Sequence, residues 1–200
     1  MTHATPAMTE GKMEPTAEEA RLIALARQGQ EAAWEEIVRH HQEAVFRLAY
    51  LIAGDAADAE DVAQSVFIRA YLKLDQYDDS RPLRPWLLGI TANQARNKRR
   101  SIGRYWHMVG RFLDAHRAET VTEPPADRAD AAPLWQAVRR LPEASRSVIY
   151  LRYFLDLSEA ETAEALNIAP GTVKSRAHRA LKKLRRIIEE EYPELADERI

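Results

Sequence analysis

The chain has no cysteine, which excludes disulfides, thiolate metal sites and cysteine nucleophiles together. Glycine is scarce, seven in 200 residues, and scattered, so no glycine-rich loop is available to cradle a phosphate. No apolar run approaches the roughly 18 residues a membrane span needs. The first residues lack the basic-then-apolar order of a signal peptide. A soluble, intracellular (cytoplasmic) protein without membrane insertion is therefore expected. Neither charge dominates: 29 Lys and Arg stand against 31 Asp and Glu, for a formal net charge of −2. No nucleophile–base–orienter set is legible. His40 and His41 are adjacent and so point about 100° apart on a helix, which cannot form an i, i+4 metal face. They read as surface histidines. The chain is expected to be no enzyme and to have no cofactor, no metal and no small-molecule substrate.

What the chain has is charge sorted by segment. Arg96 to Arg117 holds seven Lys or Arg against the single carboxylate Asp114, and Glu189 to Glu198 holds six carboxylates and no base. From Gly171 to Arg186 there are seven Lys or Arg and no carboxylate. That last segment belongs to a helix-turn-helix pattern from Leu157 to Ile188. Ser158 and Glu161 form an S-x-x-E capping box, Ala160, Ala163 and Leu166 recur at helical spacing, and Asn167-Ile168-Ala169 is a short turn. Pro170 suits the first position of the next helix, where its missing N–H costs nothing. In that helix Val173, Ala177, Ala180, Leu181, Leu184 and Ile188 fall on one side, and Thr172, Ser175, Arg179, Lys182 and Arg186 on the other. Lys174, Arg176 and His178 flank the second set. A solvated basic face is the plainer reading, but such faces normally mix signs. A single-signed face behind a capped helix and tight turn suits the DNA major groove.

The pattern elsewhere is helical, with few strand-like alternations. Met1 to Pro15 is polar, unpatterned and expected to be disordered. Thr16-Ala-Glu-Glu19 is a second capping box, opening a helix that carries Leu22, Ile23, Leu25 and Ala26 and stops near Gly29. A second helix buries Trp34, Ile37, Val38, Val45, Phe46, Leu48, Ala49 and Ile52 and ends at Gly54. A third carries Val62, Val66, Phe67, Ala70, Tyr71 and Leu74, and a fourth runs from about Trp86 through Arg100, after a polar loop from Asp75 to Pro85. The Pro/Asp/Ala-rich stretch TEPPADRADAAP reads as a linker. The helical pattern returns from Leu134, and Ser147 to Leu155 reads as an apolar helix beneath the helix-turn-helix. The expected fold is all-α: two small helical domains joined by a flexible linker, with boundaries at 1–15 (tail), 16–100, 101–133 (linker), 134–190 and 191–200 (acidic tail).

Three segments, DAEDVAQSVFIRAY (58–71), LRPWLLGITANQARNKRR (83–100) and LPEASRSVIYLRYFLDLSEAETAEALNIAPGTVKSRAHRALKKLR (141–185), together resemble the extracytoplasmic-function group of bacterial RNA polymerase sigma factors. The resemblance implies a sigma region 2 at 16–100 and a sigma region 4 at 134–190. It implies three partners: core RNA polymerase, promoter DNA and an anti-sigma factor. On that resemblance Asp58, Asp61, Gln64, Ser65 and Arg69 face core polymerase, with Val62, Val66 and Phe67 internal. Tyr77, Asp78, Asp79, Ser80 and Arg81 belong to a loop, Gln76 to Arg84, that captures a flipped −10 base. Asn93, Arg96, Lys98, Arg99 and Arg100 hold the nearby phosphates. Thr172, Lys174, Ser175, Arg176 and Arg179 read the −35 element, Lys182 and Arg186 touch phosphate, and Val148 to Phe154 docks on the polymerase flap. Trp86 is expected in the core.

The chain departs from the family pattern at Leu83, where an aromatic is common, at Asn97, where Asp is frequent, and at Ala169-Pro170, where Ser-Glu is common. The last leaves the recognition helix without a side-chain cap, worth about 1 kcal/mol. Three readings of Ser101 to Arg117 stand side by side: an extension of the fourth helix, the start of a linker threading polymerase channels, or a surface for an inhibitory partner. Two rival functions remain: a free-standing helix-turn-helix repressor or activator, which predicts a dimer on palindromic sites, and an all-helical enzyme with a DNA-binding appendage, for which no site is visible.

Overall fold

The computed structural model describes residues 16–110 and 132–192, with backbone only for 103–110 and 132–133. The expectations for the tail at 1–15, for 111–131 of the linker and for 193–200 lie outside the described residues. Eight α-helices are present among them: α1 (Ala17–Arg27), α2 (Glu31–Ala53), α3 (Ala56–Leu72), α4 (Leu83–Gly110), α5 (Ala132–Arg139), α6 (Glu143–Ile149), α7 (Glu159–Leu166) and α8 (Pro170–Glu191). A 3-10 turn, Leu74–Gln76, leads out of α3, and a π-helical turn, Tyr150–Phe154, continues α6.

The helix ends follow local chemistry. Thr16 accepts the Glu19 N–H at 3.1 Å and Asp55 accepts the Asp58 N–H at 2.9 Å, each meeting one orphan donor of a first turn. Gly54, at φ 86°, closes α2 in the left-handed region that costs glycine nothing. Only half of the first capping box forms. The Glu19 carboxylate does not turn back on its own helix but accepts the Leu83 N–H at 3.4 Å, tying α1 to the entry of α4.

Helices α1 to α4 pack as a bundle around Ile23, Ile37, Val45, Leu48, Val66, Leu83, Leu87 and Leu88. Helices α5 to α8 form the second unit. Two aspects differ from the pattern-based expectation. Tyr71 is exposed, because α3 turns that edge outward near its end, and on α8 Ile187 is buried where Leu181 lies open. The C-terminal part of α8 packs against α5, where Ile187 joins the core with Leu184, Ile188 and Tyr192 beside it. The expected helix from Ser147 to Leu155 is α6 followed by the π-helical turn, in which the Leu155 N–H reaches the Tyr150 carbonyl at 3.1 Å. Trp135 stacks on Phe154 in this turn, with centroids 4.9 Å apart. Helix α4 runs ten residues beyond its expected end, through Gly110.

The two units are not separate beads. Helix α4 packs on α7, and one continuous apolar cluster includes Leu87 and Leu88 of α4 with Leu151, Leu155, Leu157 and Ala165 of the second unit.

Candidate nucleic-acid interface

The helix-turn-helix forms as its residues dictate. The Ser158 N–H donates to Glu161 at 2.7 Å and the Glu161 N–H to Ser158 Oγ at 3.2 Å, completing the capping box. Asn167 ends α7 at φ 51°, a left-handed position that Asn tolerates better than most residues. Ala169 supplies no side-chain cap to α8, and Pro170 starts it. Val173 and Ala177 pack with Val148 and Ala163, fixing which side of α8 looks out.

Lys174, Ser175, Arg179 and Lys182 lie exposed on that side, and Thr172 and Arg176 are half-buried. Arg176 lines a shallow groove with Pro142, Ala144 and Ser145 at the start of α6. Ser175 donates to the Thr172 carbonyl and Arg179 Nε to the Ser175 carbonyl, both at 3.2 Å, so the side chains lie along the helix. Lys174, Arg176, Arg179 and Lys182 enter no ion pair among the described residues. Arg185 and Arg186 instead pair with Glu189 and Glu190 at 2.9 and 3.6 Å, so Arg186 is not the free phosphate contact expected.

The loop before α4 is folded, and its organiser is Arg27 of α1. The guanidinium donates from Nε to the Leu74 carbonyl at 3.1 Å, from Nη1 to Asp79 at 2.8 Å and from Nη2 to the Tyr77 carbonyl. Asp78 accepts from the Ser80 hydroxyl at 2.7 Å and its N–H at 3.1 Å, and pairs with Arg81 at 3.0 Å. The Ser80 bonds, then Arg81, hold the Asp78 carboxyl below its ordinary range. Tyr77 differs from expectation. It is only 6% exposed, its ring 4.7 Å from that of Trp86, and its hydroxyl donates to the Arg81 carbonyl. Burial pushes its phenol pKa well up, with nearby carboxylates adding to the effect. Tyr77 thus braces the loop, and Asp78, Asp79, Ser80 and Arg81 are exposed on it. Trp86 is half-buried beside it.

On α4, Asn93 accepts from Arg96 at 2.6 Å, and Arg99 and Arg100 project outward. Lys98 does not. It bridges Asp58 at 3.2 Å and Asp61 at 2.9 Å on α3, which keep its ammonium protonated to higher pH. A −10 candidate and two polymerase candidates therefore meet in one ion cluster. On α3 the spacing of Asp58, Asp61, Gln64, Ser65 and Arg69 puts all five on one outward face, with Val62 and Val66 turned inward and Phe67 partly covered.

Several positions escaped sequence reasoning. Ile68 and Leu72, 64% and 74% exposed, continue the outward stripe of α3, and their i+3/i+4 spacing from Gln64, Ser65 and each other could have flagged them. Arg27 and Arg84 act over 47 and 71 residues of sequence separation, for which no local pattern exists. Val148 to Phe154, expected to dock on the polymerase flap, is only partly at the surface. Val148, Ile149, Tyr150 and Leu151 are core, which leaves Tyr153 as the exposed ring. His41 is no surface histidine: its side chain is 15% exposed and lies 3.8 Å from Glu19. Burial, helped by His40 and Arg84, brings its pKa down to about 4. No His/Cys/Asp/Glu group among the described residues could hold a metal ion, and no described helix is long and apolar enough to cross a membrane.

The comparisons agree with this geometry. Residues 37–105 match the family profile Sigma-70 region 2, and residues 131–184 match Sigma-70, region 4. The ECF RNA polymerase sigma factor SigW of Bacillus subtilis is 31% identical over 83% of this chain and 94% of its own length. The RNA polymerase sigma factor NccH of Alcaligenes xylosoxydans xylosoxydans is 32% identical, over 88% and 97%. Among solved structures, CnrH in complex with the cytosolic domain of CnrY superposes with a TM-score of 0.68 at 26% identity, covering 87% of this chain and 99% of that one. With a region 2 bundle, a region 4 helix-turn-helix and relatives matched nearly end to end, the chain belongs to the extracytoplasmic-function group of the sigma-70 family of bacterial RNA polymerase sigma factors.

Proposed function

We propose that this sigma factor reads its promoter with two surfaces and moors to core polymerase with a third. It is an alternative sigma factor, a dissociable subunit that directs core RNA polymerase to specific promoters; sigma factors are initiation factors rather than enzymes, and no covalent step is assigned to this chain. The observation that carries the reading is the outward face of α8, where Lys174, Arg176, Arg179 and Lys182 have no ion-pair partner among the described residues while the apolar side is packed. Thr172, Lys174, Ser175, Arg176 and Arg179 read the −35 element, and Lys182 holds phosphate. The loop braced by Arg27 and Tyr77 presents Asp78, Asp79, Ser80 and Arg81 to an unstacked −10 base, with Asn93, Arg99 and Arg100 along the flanking backbone. Lys98 joins them once it leaves Asp58 and Asp61.

The polymerase-facing surface is α3, where Ile68 and Leu72 add an apolar centre to the polar set Asp58, Asp61, Gln64, Ser65 and Arg69. An apolar core with a polar rim is the usual anatomy of a protein interface. Regions 16–100 and 134–190 are the working units, joined through 101–133. The factor acts in the cytoplasm, and an anti-sigma factor holds it inactive; the related CnrH likewise forms a complex with a protein partner, the cytosolic domain of CnrY.

Purified chain plus core polymerase should initiate transcription at promoters carrying spaced −35 and −10 elements. Specific repression by the chain with no gain of initiation would move the assignment to a free-standing repressor.

A further inference from the structure

Where the two units meet, positive charge collects. Arg96, Arg99 and Arg100 of α4 come against Arg139 at the end of α5 and Arg146 of α6, with Glu143 among them. Glu143 is the one carboxylate, among the described residues, within ion-pair distance of any of the five. It satisfies them poorly. It lies 3.9 Å from Arg99 and 3.8 Å from Arg100, too far for a hydrogen bond. Arg96 donates to Asn93 at 2.6 Å, and Arg146 donates to the Arg139 carbonyl at 2.6 Å. The Arg139 side chain makes neither an ion pair nor a hydrogen bond among the described residues. A guanidinium carries five N–H donors, so most of the donors gathered here have no protein partner.

The crowding is felt at the two half-buried members. Burial draws the Arg146 pKa down, with Arg99 and Arg139 adding to it against the pull of Tyr150 and Glu143. Burial does the same at Arg96, with Arg100 adding and Glu143 opposing. Contacts elsewhere along α4 bring these like charges together. A Cβ built on Gly89 would stand 2.8 Å from the Ala165 carbonyl of α7, and Arg84 donates to the Leu155 carbonyl at 2.9 Å.

We infer that this junction is a binding site for a short phosphate chain, two or three linked phosphates carried by a nucleotide or by inorganic polyphosphate. Planar guanidiniums fork onto phosphate oxygens, and a terminal phosphate carries about −1.5 to −2 charges at pH 7. A nucleic-acid backbone has one charge per phosphate with a sugar between, and so brings fewer charges to one point. Arg99, Arg100 and Arg139 are exposed, so a small anion reaches them from solvent. The inference stands apart from the DNA roles proposed for Arg99 and Arg100, because the site draws on both units.

The test is calorimetric titration of the full chain with inorganic tripolyphosphate, at about 0.15 M salt so that diffuse attraction is screened. Tripolyphosphate should bind at one site, at least about ten-fold more tightly than orthophosphate. Arg99→Gln and Arg139→Gln, one on each unit and both exposed, should each weaken binding about five- to ten-fold. Glu143→Gln should tighten it about three-fold, a gain that unfolding cannot produce. Arg185→Gln, which removes the same charge elsewhere on α8, should leave it unchanged. ATP binding as tightly as tripolyphosphate, or more tightly, assigns the site to nucleotides; weaker ATP binding assigns it to inorganic polyphosphate. The proposal is overturned by no saturable binding below about 1 mM, by an equal loss in Arg185→Gln, or by Glu143→Gln affinity no higher than wild type. Displacement of tripolyphosphate by an equal concentration of short single-stranded DNA of the same charge would overturn it too.

Discussion

Replacing Arg27 by alanine should unlock the loop before α4, proposed above to meet the −10 element, while sparing the helix-turn-helix. Its guanidinium makes two bonds to backbone carbonyls, of Leu74 and Tyr77, and one to the Asp79 carboxylate, with the Arg27 side chain 25% exposed. A bond from a charged donor contributes about 1.5–3 kcal/mol net. The pair with Asp79, whose side chain is 54% exposed, adds about 0.2–1 kcal/mol. Bonds from one planar group are not additive, so about 2–3 kcal/mol is the expected loss. Against a total of about 5–15 kcal/mol for a domain, the chain should remain folded. Urea unfolding followed by tryptophan fluorescence reports the loss, since Trp86 packs on the Tyr77 ring. Promoter opening with core polymerase should fall at least ten-fold, with duplex −35 binding unchanged. Arg27→Lys should recover less than half, because an ammonium cannot fork to three acceptors in fixed directions. A urea shift worth under about 0.5 kcal/mol together with wild-type opening would refute the reasoning.

Three further outcomes are expected. His41 carries a folded pKa of about 4 and faces Glu19 from α1, His40 from α2 and Arg84 from α4. The unfolded chain protonates it first, near its ordinary 6.5, so stability should drop as pH falls from about 6.5 to 4. The drop is at most about 3 kcal/mol at 1.36 kcal/mol per pK unit, less what the Glu19 carboxylate returns. His41→Gln should flatten that part of a urea-midpoint profile, and an unchanged slope would refute the assignment. Thr162→Val should stabilise the chain by about 1 kcal/mol in thermal melts, because the lost hydroxyl has no partner; destabilisation would reveal a bond there. Arg179→Ala should cost about 1–3 kcal/mol and relax choice at one −35 position in a binding-site selection, whereas a loss uniform across sequences would make it a phosphate contact.

The parts legible in the sequence are those written within one turn of helix. Ser158 with Glu161, Asp55, Gly54 and Pro170 announce their helix ends because caps and turns are local chemistry. The outward stripe of α8 is legible for the same reason, except that Leu181 lies open and Ile187 is buried. Periodicity rightly put the Ser147 to Leu155 helix beneath the helix-turn-helix, whereas the docking role that the resemblance lent to Val148 to Phe154 meets a segment whose first four residues are core. Local pattern missed His41, whose burial is imposed by α1 and α4. Tyr77 sits in a loop by sequence and in a core by structure, because Arg27 draws the loop down onto α1. The closed contact of α4 with α7 has no local signature at all: one glycine in a helix, 76 positions from the alanine it meets, reads as an ordinary weak point until the backbones are superimposed.

The diversion of Glu19 from its own capping box to the Leu83 N–H has a practical corollary. The recognisable family segment begins at residue 37, yet the chain that shapes the loop before α4 includes Glu19 and Arg27, ahead of that boundary. An excised fragment cut at the family boundary would discard both the Glu19 tie and the Arg27 fork, and would be a helical bundle with a slack reading loop. Domain swaps between relatives should therefore be joined ahead of Thr16, or the graft will lose the two contacts that hold this loop in shape.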